Sequence, residues 1–446
     1  MAIEAYNAVK SPILKSQTHY KILPKEVRAT AKADFCIIPL YSKLKFEDCE
    51  YSVTFCPVMQ SGQGKEIRIP VRPDKDGSLK FSADIGPEQE YNVYLKKPDG
   101  ERYADIECFN IYALNEDLYS LRPYRGDMHL HTYGSDGRED PLYVVSSYRR
   151  VGFDYMAVTD HRNYEPSVKA KAFYDNYPID MALYHGEEVH PPENAVHMVN
   201  FGGSFSVNAL IESEKEKYYA EVREIMKTVV DYPDTTAVNE IYMYASCKWV
   251  FEKIREGGGI SIFCHPYWRV GNGYYISDRL TDYILKKKDY TAYELIGGYH
   301  KHEVDSNELQ VAKYADLRAQ GYRIPIVGVS DSHGCDRNDL MNWYGTIVFA
   351  KSPALEDIKQ AISDYKSVAF ETIHGECPRI HGEFRYVAYA FWLLREVFPM
   401  HDLFCSAEGA LMYRLSIGDE SVVPALDALK GSCAKYLDEI YGKTDL

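Results

Sequence analysis

Asp127-Met128-His129-Leu130-His131-Thr132-Tyr133-Gly134-Ser135-Asp136-Gly137 is the stretch on which the reading of this chain turns. Side chains two apart leave the same face of a strand, so His129 and His131 aim at one spot. Two neutral imidazoles converging on one spot make half of a metal site. The run Thr132 to Gly137 reads as a turn, which brings Asp136 back over the strand end.

The chain beyond this stretch repeats the theme. Short apolar strands alternate with helical segments from about residue 121, the pattern of parallel strands joined by crossover helices and hence of an α/β sheet or barrel. Strands are expected at Phe153–Thr159, Met181–Tyr184, Ile260–Cys264, Tyr293–Ile296, Ile324–Val329 and Gly345–Phe349, and the segment His197–Phe201 follows a Pro-Pro turn. Each candidate ligand falls where such a strand stops: His129, His131 and Asp136, then His161, Glu188, His197, His265, and finally Asp331 with His333. In a (β/α) barrel the loops after the strand ends build the active site. Within Gly186-Glu187-Glu188, alternation on an extended chain turns only one carboxylate inward.

In this order the motifs are HxH, Asp, Thr-Asp-His, Gly-x-Glu, His, Cys-His-Pro and Ser-Asp-Ser-His. They resemble the PHP (polymerase and histidinol phosphatase) superfamily over roughly residues 121 to 350. The resemblance implies a distorted (β/α)7, TIM-like barrel holding up to three divalent metal ions and acting on phosphoesters. It implies that His129, His131 and Asp331 hold the first ion, and that Glu188 bridges it to a second held by His197 and His265. Asp136, His161 and His333 would hold the third. The Gly-x-Glu pattern favours Glu188 as the ligand, leaving Glu187 for solvent or for a partner outside the ligand ring.

Mixed imidazole and carboxylate ligands suit Zn, Mn or Fe. Two ions sharing a carboxylate can lower the pKa of a bound water to about 7 and neutralise phosphate charge, so hydroxide attack on phosphorus in a two- or three-metal site is the expected chemistry. A guanidinium would grip the non-reacting oxygens. Arg162 and Arg269 are the candidates, together with His190 two residues beyond Glu188. Asp160 is expected to cap the following helix or to orient a ligand. Glu294 is expected to point inward from its strand. The Gly271-Asn272-Gly273 loop with Tyr274 and Tyr275, and the pair His300 and His302, are candidate covers for the pocket.

The flanking regions differ in pattern. Residues 1 to 120 carry short β-branched or aromatic runs (Phe35–Leu40, Tyr51–Phe55, Ile67–Val71, Tyr91–Leu95) separated by Asp76-Gly77, Gly86-Pro87 and Asp99-Gly100. That pattern predicts a β-sandwich-like accessory domain. Residues 121 to 372 form the expected catalytic barrel, and residues 373 to 446 read as a helical extension.

Composition narrows the function. A net charge of -15 argues against a nucleic-acid backbone as partner. The stretch Met1–Tyr6 lacks the basic and apolar regions of a signal peptide, and no run of about eighteen apolar residues would span a membrane. The ten cysteines include no CxxC pair, which fits reduced thiols and a cytoplasmic setting. The expected partner is a small, phosphorylated molecule. Two alternatives stand beside phosphate-ester hydrolysis: metal-dependent hydrolysis of another ester, amide or carbamate, and a non-catalytic scaffold or sugar-binding role.

Overall fold

A computed structural model describes residues 19–59, 66–100, 102–335 and 340–443. The stretch Met1–Tyr6 lies outside them. The chain divides into two units. Residues up to Arg122 join 387–404 and 431–446 in the first, and residues 123–386 join 405–430 in the second. The region from 373 onward is therefore shared between the units.

Among the described residues the first unit carries eight strands: β1 (Tyr20–Leu23), β2 (Glu26–Arg28), β3 (Lys32–Pro39), β4 (Tyr51–Pro57), β5 (Ile67–Val71), β6 (Leu79–Asp84), β7 (Gln89–Asp99) and β8 (Arg102–Leu114). They form a three-stranded sheet, β1-β3-β6, and a five-stranded sheet, β2-β8-β7-β4-β5. Alternating residues such as Phe35 and Ile37, Val53 and Phe55, Val93 and Leu95, and Phe109 and Ile111 fill one shared core. This is the sandwich pattern, with one face of each sheet apolar.

The second unit is mixed α/β. Its strands are β9 (Arg122–Asp127), β10 (Tyr155–Met156), β11 (Ala182–Leu183), β12 (Gly186–Val189), β13 (Met198–Phe201), β14 (Ile260–Phe263), β15 (Arg269–Val270), β16 (Gly273–Tyr274), β17 (Ala292–Ile296), β18 (Ile326–Gly328), β19 (Tyr344–Ala350), β20 (Ser367–Glu371) and β21 (Arg379–His381). One sheet runs β11-β10-β9-β19-β20-β21 and another β12-β13-β14-β17-β18. Helices Pro141–Arg150, Asp278–Lys287 and Val304–Ala319 cross between parallel neighbours, as alternation predicts. Most central strands bury both faces, which explains their unbroken apolar runs. In β13, for example, Met198 packs towards the helices while Val199 and Phe201 face the inner core with Met128, Ile262 and Val327.

The second unit departs from the expected parallel order in two places, and at one of them β20 runs antiparallel to β19 and β21. At the other, β13 runs antiparallel to both β12 and β14. Only the short Pro191-Pro192 connection separates β12 from β13, and a parallel return needs a crossover of roughly a dozen residues. Isolated bridges join the two sheets: Leu130 pairs with Ser332, and His161 with Glu188. Among the described residues no helix is long and apolar enough to cross a membrane.

Candidate metal centre

The extended segment after β9 alternates as its sequence demands. Met128 and Leu130 are wholly buried away from the centre, and His129 and His131 turn into it. The backbone is held from both sides: the Asp331 and His131 amides donate to the His129 and Ser332 carbonyls at 2.8 Å each, and the Thr159 amide donates to the Leu130 carbonyl at 2.9 Å. Asp127 ties the same segments together, its Oδ1 accepting from the His129 and Ser330 amides.

Glu188 is the hub. Its Oε2 lies 3.4 Å from His129 Nε2, 3.6 Å from His131 Nε2, 2.6 Å from His161 Nδ1 and 3.4 Å from His190 Nε2. Its Oε1 lies 2.9 Å from His197 Nδ1 and 3.5 Å from His265 Nε2. Asp331 Oδ1 completes one corner, 2.8 Å from His131 Nε2 and 3.2 Å from His129 Nε2. A further group forms where Asp136 Oδ1 meets His161 Nε2 at 3.4 Å and His333 Nε2 at 3.3 Å, with His131 beside them. The nine residues expected to be ligands converge on one region, and His190 stands with them.

The turn that carries Asp136 is built by Asp160. That carboxylate accepts from the Thr132 amide at 2.8 Å, the Thr132 hydroxyl at 2.6 Å and the Ser135 hydroxyl at 2.7 Å. It does not cap the following helix, Glu165–Tyr174, whose first amide donates instead to Asn163 Oδ1. Gly137 closes the turn, because a Cβ there would stand 2.5 Å from the His131 carbonyl carbon. Glu187 faces neither solvent nor the cluster. It is buried and accepts from the Ser206 hydroxyl, the Val207 amide and the Asn208 side chain, fixing the start of helix Val207–Ser213.

Electrostatics separate the imidazoles. Burial holds His131 and His197 down at about 4, the neutral form that a metal requires. Burial also opposes charge on His129 and His161, but Asp331 and Glu188 raise the first, and Asp136 and Glu188 raise the second. Burial pushes the Asp136 carboxyl up, yet His161 and His333 outweigh it and hold that group well below the usual carboxylate range.

The donor set fits divalent cations. Both Glu188 oxygens, His129 Nε2, His131 Nδ1 and His197 Nδ1 are buried without a hydrogen-bond partner among the described residues. Such groups are costly unless something positive satisfies them. An ion with bonds of about 2.1 Å needs neighbouring ligand atoms roughly 3.0–3.4 Å apart, and most separations here lie close to that range. Glu294, fully buried on β17, places Oε2 at 3.2 Å from His129 Nδ1 and so aims His129 Nε2 at Glu188.

Of the remaining candidates, Arg162 has a left-handed backbone (φ 54°), and its amide donates to the Glu188 carbonyl at 2.9 Å. Arg162 lines a cavity of about 420 Å³ together with His190 and Asn208. Arg269 is exposed on the β15–β16 hairpin. His300 and His302 stack on each other at 5.6 Å around a short 3-10 turn. Sequence reasoning passed over Trp268, whose ring is 5.9 Å from His197 and 6.1 Å from His265. Its only signal was its place three residues after His265.

No family model and no curated protein matches the chain. Solved structures do. A two-domain protein from Bacteroides vulgatus, described as containing a predicted PHP-like metal-dependent phosphoesterase, aligns at 15% identity over 56% of this chain and 66% of its own, with a TM-score of 0.39. A candidate metal-dependent phosphoesterase from Bifidobacterium adolescentis aligns at 18% identity over 49% of this chain and 90% of its own, with a TM-score of 0.34. An amidohydrolase from Chromobacterium violaceum with bound sulfate aligns at 15% over 47% and 87%, with a TM-score of 0.32. The solved structures that align with this chain thus include one described as containing a predicted PHP-like metal-dependent phosphoesterase.

Proposed function

We propose that this chain is a metal-dependent hydrolase of small phosphate esters. The observation that carries the reading is Glu188, a fully buried carboxylate with six imidazoles within 3.6 Å. His129, His131 and Asp331 would hold one ion, His197 and His265 a second shared through Glu188, and Asp136, His161 and His333 a third. Zn, Mn or Fe bound there would supply Lewis acidity and positive charge, which activate water and neutralise phosphate.

The chain's own residues do the rest. Glu294 keeps His129 in one orientation, and Asp160 keeps Asp136 facing His161 and His333. Arg162 and His190 line the adjoining cavity and are assigned to the non-reacting phosphate oxygens, for which a guanidinium offers a bidentate fork. Arg269 is a second candidate for that task. Water supplies the new P–O bond, and the alcohol departs with a proton. Every candidate ligand belongs to the second unit, so the β-rich first unit is assigned an accessory part. We further assign the strands around the centre to a distorted (β/α)7 barrel. The two bridges between the sheets support this, since they link β9-β10-β12-β13-β14-β17-β18 into a cycle.

The test is elemental analysis of the native protein beside Asp136→Ala and His265→Ala variants. Turnover is followed on p-nitrophenyl phosphate, a phosphodiester, a carboxyl ester and an amide. Phosphate-ester hydrolysis that falls together with metal content is expected. Preferential cleavage of the ester or amide would replace the phosphate reading, and full activity in both variants would remove the site.

A further inference from the structure

The β15–β16 hairpin rises directly from the segment that ends in His265. Arg269 pairs with Tyr274 and Val270 with Gly273, and Gly271 takes the left-handed conformation (φ 62°) at the tip. Trp268 and Tyr275 stand opposite each other at the base, where the Tyr275 amide donates to the Trp268 carbonyl at 2.8 Å. Their rings meet at 5.1 Å and 66°, forming a corner. Both also meet the His197 imidazole, Tyr275 at 5.5 Å and Trp268 at 5.9 Å.

The hairpin is rooted on its other side. Tyr267 is buried, packs on Tyr274 at 5.5 Å and donates to Asp278 Oδ1 at 2.5 Å. The Tyr267 carbonyl accepts from the Ser306 hydroxyl. Tyr275 nevertheless leaves 42% of its surface exposed, beside a ligand imidazole. A ring anchored by its backbone beside a ligand imidazole and open to solvent is placed to meet a substrate.

We propose that Trp268 and Tyr275 form a stacking wall that selects a ring-bearing substrate. This rests on the phosphoesterase reading and names the organic part of the ester, which presents either a π face or the C–H face of a sugar ring. The wall meets the His197 and His265 imidazoles themselves, so a ring laid on it lies beside side chains that would hold the cations. Stacking of one ring on an aromatic side chain is worth roughly 5- to 150-fold in binding. His197 contacts both this wall and His190, which lines the cavity assigned to the phosphate.

The experiment compares AMP and an aryl phosphate (π face), glucose 6-phosphate (C–H face) and glycerol 3-phosphate (no ring) on wild type, Tyr275→Ala and Trp268→Ala, with metal content measured in each. The expected result is native metal content and a rise in KM for one ring-bearing class that exceeds the change for glycerol 3-phosphate by about tenfold or more. Tyr275→Phe is expected to restore it. Equal losses on all four esters, or wild-type preference for the ring-free ester, overturn the wall. A chain that hydrolyses no phosphate ester overturns the phosphoesterase reading instead. In that case, or if the alanine variants do not fold, calorimetric binding of adenosine and methyl glucoside to the wild-type protein decides the question. Binding of one supports the wall and binding of neither overturns it.

Discussion

Glu294 Oε2 stands 3.2 Å from His129 Nδ1, with both side chains wholly buried. A carboxylate behind an imidazole fixes which ring nitrogen is free and where it points. Glu294→Ala removes that restraint while leaving every proposed ligand in place. Metal affinity is expected to fall about 10- to 100-fold, with Glu294→Gln milder because its amide oxygen still accepts. Competition with a chromophoric chelator measures this, and an unchanged affinity in the alanine variant would remove Glu294 from the centre.

Glu188→Gln tests the hub itself. The substitution keeps size and removes the charge that faces six imidazoles. Bound metal is expected to drop by at least one ion per chain, and turnover by at least about 100-fold. If the metal stays and only turnover falls, Glu188 acts on substrate rather than as a bridge.

Much of this centre was legible because a strand's period of two is rigid. His129 and His131 had to share a face, and Met128 and Leu130 had to share the other, whatever the rest of the fold. The ends of apolar runs likewise located His265 and Asp331. Chain direction was less legible: β13 reads as another buried strand, and only the brevity of the Pro191-Pro192 connection betrays that it runs antiparallel. Glu187 illustrates a different limit, because the groups that satisfy it come from Ser206 to Asn208, and no local pattern announces that contact. The helices after residue 383 divide between the two units, a long-range outcome that periodicity does not encode.

Gly137→Ala probes the turn that presents Asp136. The added Cβ would meet the His131 and Thr132 backbone at 2.5 Å, so the turn must shift. A displacement of about 1 Å at a reacting group can cost on the order of 100-fold in rate. One ion per chain is expected to be lost, with the others retained, because Asp136 meets His161 and His333, the ligands assigned with it to the third ion. Elemental analysis together with steady-state kinetics checks both; retention of all ions at native rate would show that the turn tolerates the methyl group.

Stability of the first unit should depend on pH through Glu26. Burial pushes its carboxyl up to about 7, although the Tyr441 and Tyr389 hydroxyls beside it oppose that rise. Tyr389 donates to Glu26 Oε2 at 2.7 Å, and Oε1 is buried without a hydrogen-bond partner among the described residues. The unfolded chain loses this proton near 4.3, so between there and about 7 the folded state binds more protons than the unfolded one. Stability therefore falls as pH rises across that window, by up to roughly 3 kcal/mol, and the loss is complete above it. Glu26→Gln keeps an acceptor for Tyr389 and cannot ionise. Urea unfolding between pH 4 and pH 8.5 is expected to show the variant gaining on the wild type as pH rises and exceeding it at the alkaline end. Parallel profiles would mean that Glu26 is charged in the folded protein, and that a cation offsets its burial.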